Sequence, residues 1–137
     1  MSKTIYIAGA LFTPGQRSYL EKIDNLCTSS GFKTYLPHRD AGLFDRKTTP
    51  PDFFFNKDLE EIGKCDIVIA VLNGLEIDSG TMWEVGYAYS KSKIIIGLIE
   101  DTRIFNKTQQ LNPMISGSVK KICSNLDELK ATLSSFK

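Results

Sequence analysis

The chain is 137 residues long, with 17 Lys and Arg against 16 Asp and Glu, a net charge of +1. One domain is expected at this length, and 42% hydrophobic with 24% charged residues excludes the disordered and fibrous classes. So balanced a charge also excludes a module that grips nucleic-acid polymers through a broad basic face.

Short β-branched runs alternate with longer amphipathic stretches, the pattern of strands joined by crossover helices. Thr4–Ala8 is a predicted strand. Pro14 to about Ser30 is a helix, with Tyr19, Leu20, Ile23, Leu26 and Cys27 spaced by threes and fours along one face, and Gly31 ends it. Lys33–Leu36 is a second strand, closed by Pro37, and Phe53–Lys64 reads as a helix with Phe54, Phe55, Leu59 and Ile62 available to pack. Asp66–Leu72 lacks polar alternation, which suits a strand covered on both faces of a parallel sheet. A helix over Gly80–Lys91, strands over Lys93–Ile99 and Val119–Cys123, and a helix over Leu126–Phe136 complete the order.

This alternation predicts an α/β fold: a doubly wound, five-stranded parallel sheet in a single domain over residues 1–137, because right-handed crossovers leave few alternatives. Ligands then bind beyond the carboxyl ends of the strands, in the loops 9–16, 37–52, 73–79 and 100–113. Loops as long as 37–52 and 100–113 are usually functional. Cys27, Cys65 and Cys123 are odd in number and far apart, and His38 is the one histidine, so neither a disulfide framework nor a metal site is expected. Three residues before the first strand are too few for a signal peptide, and the apolar runs Ile67–Leu72 and Ile94–Ile99 are too short for a bilayer. The expectation is a reduced, soluble, cytoplasmic protein with no membrane partner.

The first loop carries Gly9 and Gly15, whose spacing does not fit GxGxxG, no acidic residue closes the second strand, and no GxxxxGK[ST] occurs. The segment from Leu75 to Ala88 is richer. Asp78 or Ser79 can cap the helix that follows a buried strand. Glu84 lies about one turn further on, Gly80 permits a close approach, and Val85, Gly86 and Ala88 mark a closely packed helix. The acid therefore faces a cleft, where a carboxylate serves as a nucleophile or a base. Taken alone, Asp58 reads as one of several charges on an exposed helical face. Tyr6, opposite in direction to Ile5 and Ile7, reads as a buried aromatic with a satisfied hydroxyl. Spacing by itself yields a cleft with several carboxylates and no metal ligands.

The succession Thr4-Ile5-Tyr6-Ile7-Ala8-Gly9-Ala10-Leu11-Phe12, Asn56-Lys57-Asp58-Leu59, Cys65-Asp66-Ile67-Val68-Ile69-Ala70, then Asp78 and Gly80-Thr81-Met82-Trp83-Glu84-Val85-Gly86-Tyr87-Ala88, resembles the nucleoside 2-deoxyribosyltransferase family from Tyr6 to about Met114. The resemblance implies a flavodoxin-like fold and exchange of the base of a 2'-deoxynucleoside for another free base. It implies that Glu84 attacks the anomeric carbon and carries the sugar covalently, that Tyr6 orients Glu84, and that Asp58 exchanges a proton with the base. Asp78 would hold the sugar hydroxyl end, Phe12 would stack on the base, and Gly9 in the same loop would also border the substrate. Asn112 would reach the sugar from a neighbouring subunit, so a homo-oligomer is implied, a dimer or a hexamer built from dimers. Asp40 matches a base-contacting loop position, whereas Leu11 stands where members often have a tryptophan.

That chemistry resembles a retaining glycosidase: a carboxylate stabilises and traps an oxocarbenium-like sugar, ping-pong kinetics follow, and water gives slow hydrolysis. An acid near the base is needed because a nucleobase anion leaves poorly. No metal or organic cofactor is required. A related branch hydrolyses 2'-deoxynucleoside 5'-monophosphates and has serines at the positions of Asp78 and Asn112. A carboxylate at 78 repels a phosphate dianion and favours the nucleoside, while Ser79, Arg17 and Arg39 are the residues that would favour the nucleotide. A catalytically silent nucleoside-binding domain is the third reading, and retention of Glu84, Tyr6 and Asp58 together argues against it. Purine and pyrimidine preference stay open.

Overall fold

A computed structural model of the chain describes residues 2–45, 47–103 and 111–137. Of the loop expected over 100–113, residues 104–110 lie outside the described residues. Five strands form one parallel sheet: β1 (Thr4–Ala8), β2 (Lys33–Tyr35), β3 (Ile67–Val71), β4 (Ile94–Leu98) and β5 (Lys121–Cys123). Their order across the sheet is β2-β1-β3-β4-β5, the flavodoxin-like arrangement that the alternation predicted. The chain leaves β1 toward one edge and returns to β3 on its other side, so the topological switch lies between β1 and β3.

Helices cover both faces: α1 (Pro14–Ser29), α2 (Pro37–Asp40), α3 (Pro51–Lys64), α4 (Ser79–Ser90), α5 (Pro113–Ser116) and α6 (Leu126–Ser134). Alternate strand residues divide the core in two. Ile5, Ile7, Ile67, Ile69, Ile96 and Leu98 meet Leu20, Ile23 and Cys27 of α1 and Leu129 and Leu133 of α6. Tyr6, Ala8, Val68, Ala70 and Ile95 meet Ile62 of α3 and Val85 and Ala88 of α4. Strands buried on both faces explain the unbroken apolar runs in β3 and β4.

The differences from the expected elements have local causes. The loop 37–52 contains α2, started by Pro37, and α3 begins at Pro51 rather than Phe53, since a proline at the first helical position is already set to the helical φ. The expected strand at 119–123 shortens to β5 because Val119 donates instead to the Ile115 carbonyl at 3.2 Å. Helix α1 closes at Ser30, followed by Gly31 at φ +95°, a conformation that favours glycine. No described helix is long and apolar enough to cross a membrane.

Candidate functional site

The site lies at the carboxyl ends of β1 and β3, where the switch point opens a crevice. Gly9 follows β1, and a Cβ there would sit 2.7 Å from Leu20 Cδ2 and 3.1 Å from Val71 Cβ. A side chain at that point would have to push Leu20 and Val71 aside, so glycine lets the chain turn closely between α1 and β3. Phe12 stands on this turn, 69% exposed, just before Thr13 caps α1. After β3, Asp78 caps α4: its Oδ2 accepts from the Thr81 N–H and the Thr81 hydroxyl, both at 2.9 Å. The sixth residue of the helix so fixed, Glu84, is half-buried and is met by the Tyr6 hydroxyl, which donates to Glu84 Oε2.

A cavity of about 650 Å³ joins these groups. Gly9, Phe12, Asp58, Asp78 and Glu84 all border it, together with an aromatic wall of Phe44, Phe54, Phe55 and Trp83. The expected packing role of Phe54, Phe55 and Leu59 is therefore corrected in part: they line the cavity, and Ile62 is the one fully buried residue of α3. Trp83 is braced by Phe55 at 5.4 Å and by Tyr87, stacked at 5.6 Å between ring centroids. Beyond Asp78 and Phe12 the crevice continues into a hollow of about 450 Å³ bordered by Tyr19, Asn73 and Glu76.

Electrostatics set the two inner carboxyls apart from surface acids. Burial pushes Glu84 up to about 8; the Tyr6 hydrogen bond opposes this, and the charges of Asp58 and Asp78 add to it. Burial likewise raises Asp58 to about 6, against hydrogen bonds from Tyr35 and Tyr6, with Glu61 raising and Lys57 lowering it. Tyr6 and Tyr35 are both raised, chiefly by burial, and stay protonated donors. One face of the cavity thus presents Glu84, oriented by the Tyr6 phenol and keeping its proton near neutrality, beside Asp58, which titrates lower, at about 6.

Two sequence candidates stand apart from this cluster. Asp40 does not border the cavity; its carboxylate accepts from Arg39 Nη2 and from the Leu36 N–H, each at 2.8 Å, which lowers its pKa against the effect of burial. Asn112 is exposed, caps α5 through an acceptor contact with the Met114 N–H at 2.9 Å, and does not border its own chain's cavity. Sequence reasoning overlooked Tyr35 and the aromatic wall. The signal for the wall was the Phe53-Phe54-Phe55 run, which carries more apolar surface than one buried helix face holds.

The sequence model of the family described as nucleoside 2-deoxyribosyltransferase matches residues 5–131. No curated protein matches the chain. Among solved structures, a conserved protein from Enterococcus faecalis V583 is similar at a TM-score of 0.82 and 25% identity, over 100% of both chains. A 2-deoxyribosyltransferase from Bacillus psychrosaccharolyticus is similar at 0.78 and 23% identity, over 93% of this chain and 90% of its own. The CMP N-glycosidase BcmB of Clostridium botulinum is similar at 0.64 and 20% identity, over 98% and 100%. These last two likenesses concern the fold.

Proposed function

The chain belongs to the nucleoside 2-deoxyribosyltransferase family, and on that premise we propose that it moves a 2-deoxyribosyl group between nucleobases through a covalent intermediate on Glu84. The observation that carries this reading is the Tyr6 to Glu84 hydrogen bond with Asp58 on the same cavity. Tyr6 steers one carboxylate oxygen and leaves the other for the anomeric carbon. As the C–N bond breaks, its electron pair stays with the base, Asp58 supplies a proton to a ring nitrogen, and Glu84 closes a C–O bond to the sugar. An incoming base reverses these steps, and water in its place gives hydrolysis.

Phe12 and the aromatic wall offer faces for the base. Asp78 commits Oδ2 to Thr81 and, at the sugar end of the cavity, is suited to accept from a sugar hydroxyl. Exposed Asn112, which does not border its own chain's cavity, suits completion of a neighbouring site in a homo-oligomer.

The nucleotide-hydrolase reading is the weaker one. A 5'-phosphate beside Asp78 would also approach Glu76 across the adjoining hollow. Of the arginines named as its possible partners, Arg39 is paired with Asp24 at 2.9 Å and Asp40 at 2.8 Å, and Arg17 donates to the Leu11 carbonyl at 3.0 Å. A dianion would meet like charge at Asp78 and Glu76. The test is to mix thymidine or deoxyinosine with free adenine and measure deoxyadenosine. Exchange by the wild type and its loss in Glu84→Ala are expected; absence of exchange, or exchange unaltered by Glu84→Ala, would reject the proposal.

A further inference from the structure

Beside the Tyr6 to Glu84 pair stands a second phenol and carboxylate pair. In the parallel register of β1 and β2, Tyr35 lies opposite Tyr6. Their rings stack at 5.4 Å and 20°. Tyr35 is 6% exposed and its hydroxyl donates to Asp58 Oδ1 at 3.3 Å. Lys57 Nζ sits 6.0 Å from the Tyr35 ring centroid and is itself paired with Glu61 at 3.0 Å. Tyr35 does not border the cavity, whereas Asp58 does. Its hydroxyl therefore reaches substrate only through Asp58.

Resting on the transfer reading above, we infer that Tyr35 is a positioning residue for the base-side proton transfer: it holds Asp58 Oδ1 and leaves Oδ2 to carry the proton exchanged with the nucleobase. When the glycosidic bond breaks, the Oδ2 proton passes to a ring nitrogen and the bond pair remains on the base. Asp58 is left as a carboxylate. The Tyr35 hydrogen bond then has an ionised acceptor and strengthens, so it favours the transition state over the ground state. In the second half-reaction the incoming base returns its N–H proton to Oδ2. The charged and titratable groups facing Asp58 are Tyr6 on β1, Tyr35 on β2, Lys57 and Glu61 on α3, and Glu84 on α4; Asp40 faces Tyr35.

Tyr35→Phe tests this, since it keeps the stacked ring and removes only the donor. Two deoxynucleosides are compared in one preparation, so their ratio does not depend on the fraction folded. Deoxyinosine needs protonation to release its base, while 7-methyl-2'-deoxyguanosine already carries a cationic base that leaves without an acid; its spontaneous loss is subtracted. At a pH below about 6, where Asp58 is protonated in both proteins, kcat with deoxyinosine is expected to fall roughly tenfold and kcat with the methylated substrate less than about twofold. KM for deoxyinosine should stay within about threefold. The acid limb of the deoxyinosine profile should also move to higher pH, because the lost donor favoured the ionised carboxylate. In an Asp58→Asn background, Tyr35→Phe should add no further loss. Equal losses on both substrates, or an unmoved limb, would overturn the inference while leaving the transfer reading intact. A wild type that exchanges no base would remove both, and the two failures are told apart by that control.

Discussion

Tyr6, fully buried in the middle of β1, donates its hydroxyl hydrogen to Oε2 of Glu84, 78 residues further along the chain on α4. The bond joins the strand on one side of the topological switch to the helix that follows β3 on the other. It orients a carboxyl that burial raises to about 8, partly offsetting that burial, while the nearby charge of Asp58 adds to the rise.

The two carboxyls titrate as an interacting pair, so their apparent values belong to the pair. Transfer needs Glu84 ionised and Asp58 protonated, a state holding one proton between them. With Asp58 raised to about 6 and Glu84 to about 8, the pair holds one proton between these values; that proton rests mostly on Glu84, and the reactive form with it on Asp58 is a minor part of the same population that peaks in the same interval. The account predicts a bell-shaped kcat/KM profile for deoxyinosine with limbs near 6 and 8. A profile flat across that interval would contradict it.

Burial of Glu84 also affects stability. Its folded value, about 8, lies above its ordinary value of 4.5, so across that window the folded chain keeps a proton that the unfolded chain has released. Stability therefore falls as pH rises from 4.5 toward 8. Glu84→Gln keeps an acceptor for Tyr6 and removes the charge. It should abolish transfer, yet be more stable than wild type at the upper end of the window by roughly 1–2 kcal/mol. Near the lower end, where Glu84 is protonated in both states of the wild type, the two should melt alike. Thermal melts at the two pH values check this.

Asp78 caps α4 and also borders the cavity, where it is proposed to hold the sugar hydroxyls. Asp78→Asn retains a capping oxygen for the Thr81 N–H, and stability should change by less than about 0.5 kcal/mol. Removing the charge should raise cleavage of deoxynucleoside 5'-monophosphates relative to deoxynucleosides by roughly tenfold. Comparing kcat/KM for deoxyinosine and its 5'-monophosphate measures the ratio. An unchanged ratio would mean that Asp78 does not discriminate against phosphate.

If Asn112 completes a neighbouring site, Glu84→Ala and Asn112→Ala should each be nearly inactive and should restore one another on mixing. A mixed dimer holds one intact site and one doubly altered site, so random mixing gives roughly a quarter of wild-type activity. No recovery after verified subunit exchange would place each site within one chain.

Much of this architecture was legible from sequence. The apolar, unalternating runs of β3 and β4 report burial on both faces, and the alternation of Ile5, Tyr6 and Ile7 already assigns Tyr6 to the opposite face from its neighbours. The cap was legible as Asp78 or Ser79, which stand between a buried strand and a helix, and the structure gives it to Asp78. The family motif made Glu84 and Asp58 candidates together. Tyr35 was not legible, since its partner Asp58 is distant in sequence and their contact depends on the register of β2 against β1. Helix α2 was missed because four residues carry no periodicity, and with it the commitment of Asp40 to Arg39 and the Leu36 N–H. The aromatic wall escaped for a general reason: apolar side chains that line a cavity and those that fill a core have the same sequence signature.

The central claim is that Glu84 carries the sugar. Wild type mixed with deoxyinosine in the absence of any acceptor base, then rapidly quenched in acid and digested, should yield the Glu84 peptide heavier by one 2-deoxyribosyl group. Free adenine added before the quench should discharge that group as deoxyadenosine, and Glu84→Gln should form no adduct. A deoxyribosyl group found on another side chain, or base exchange undiminished in Glu84→Gln, would contradict the account.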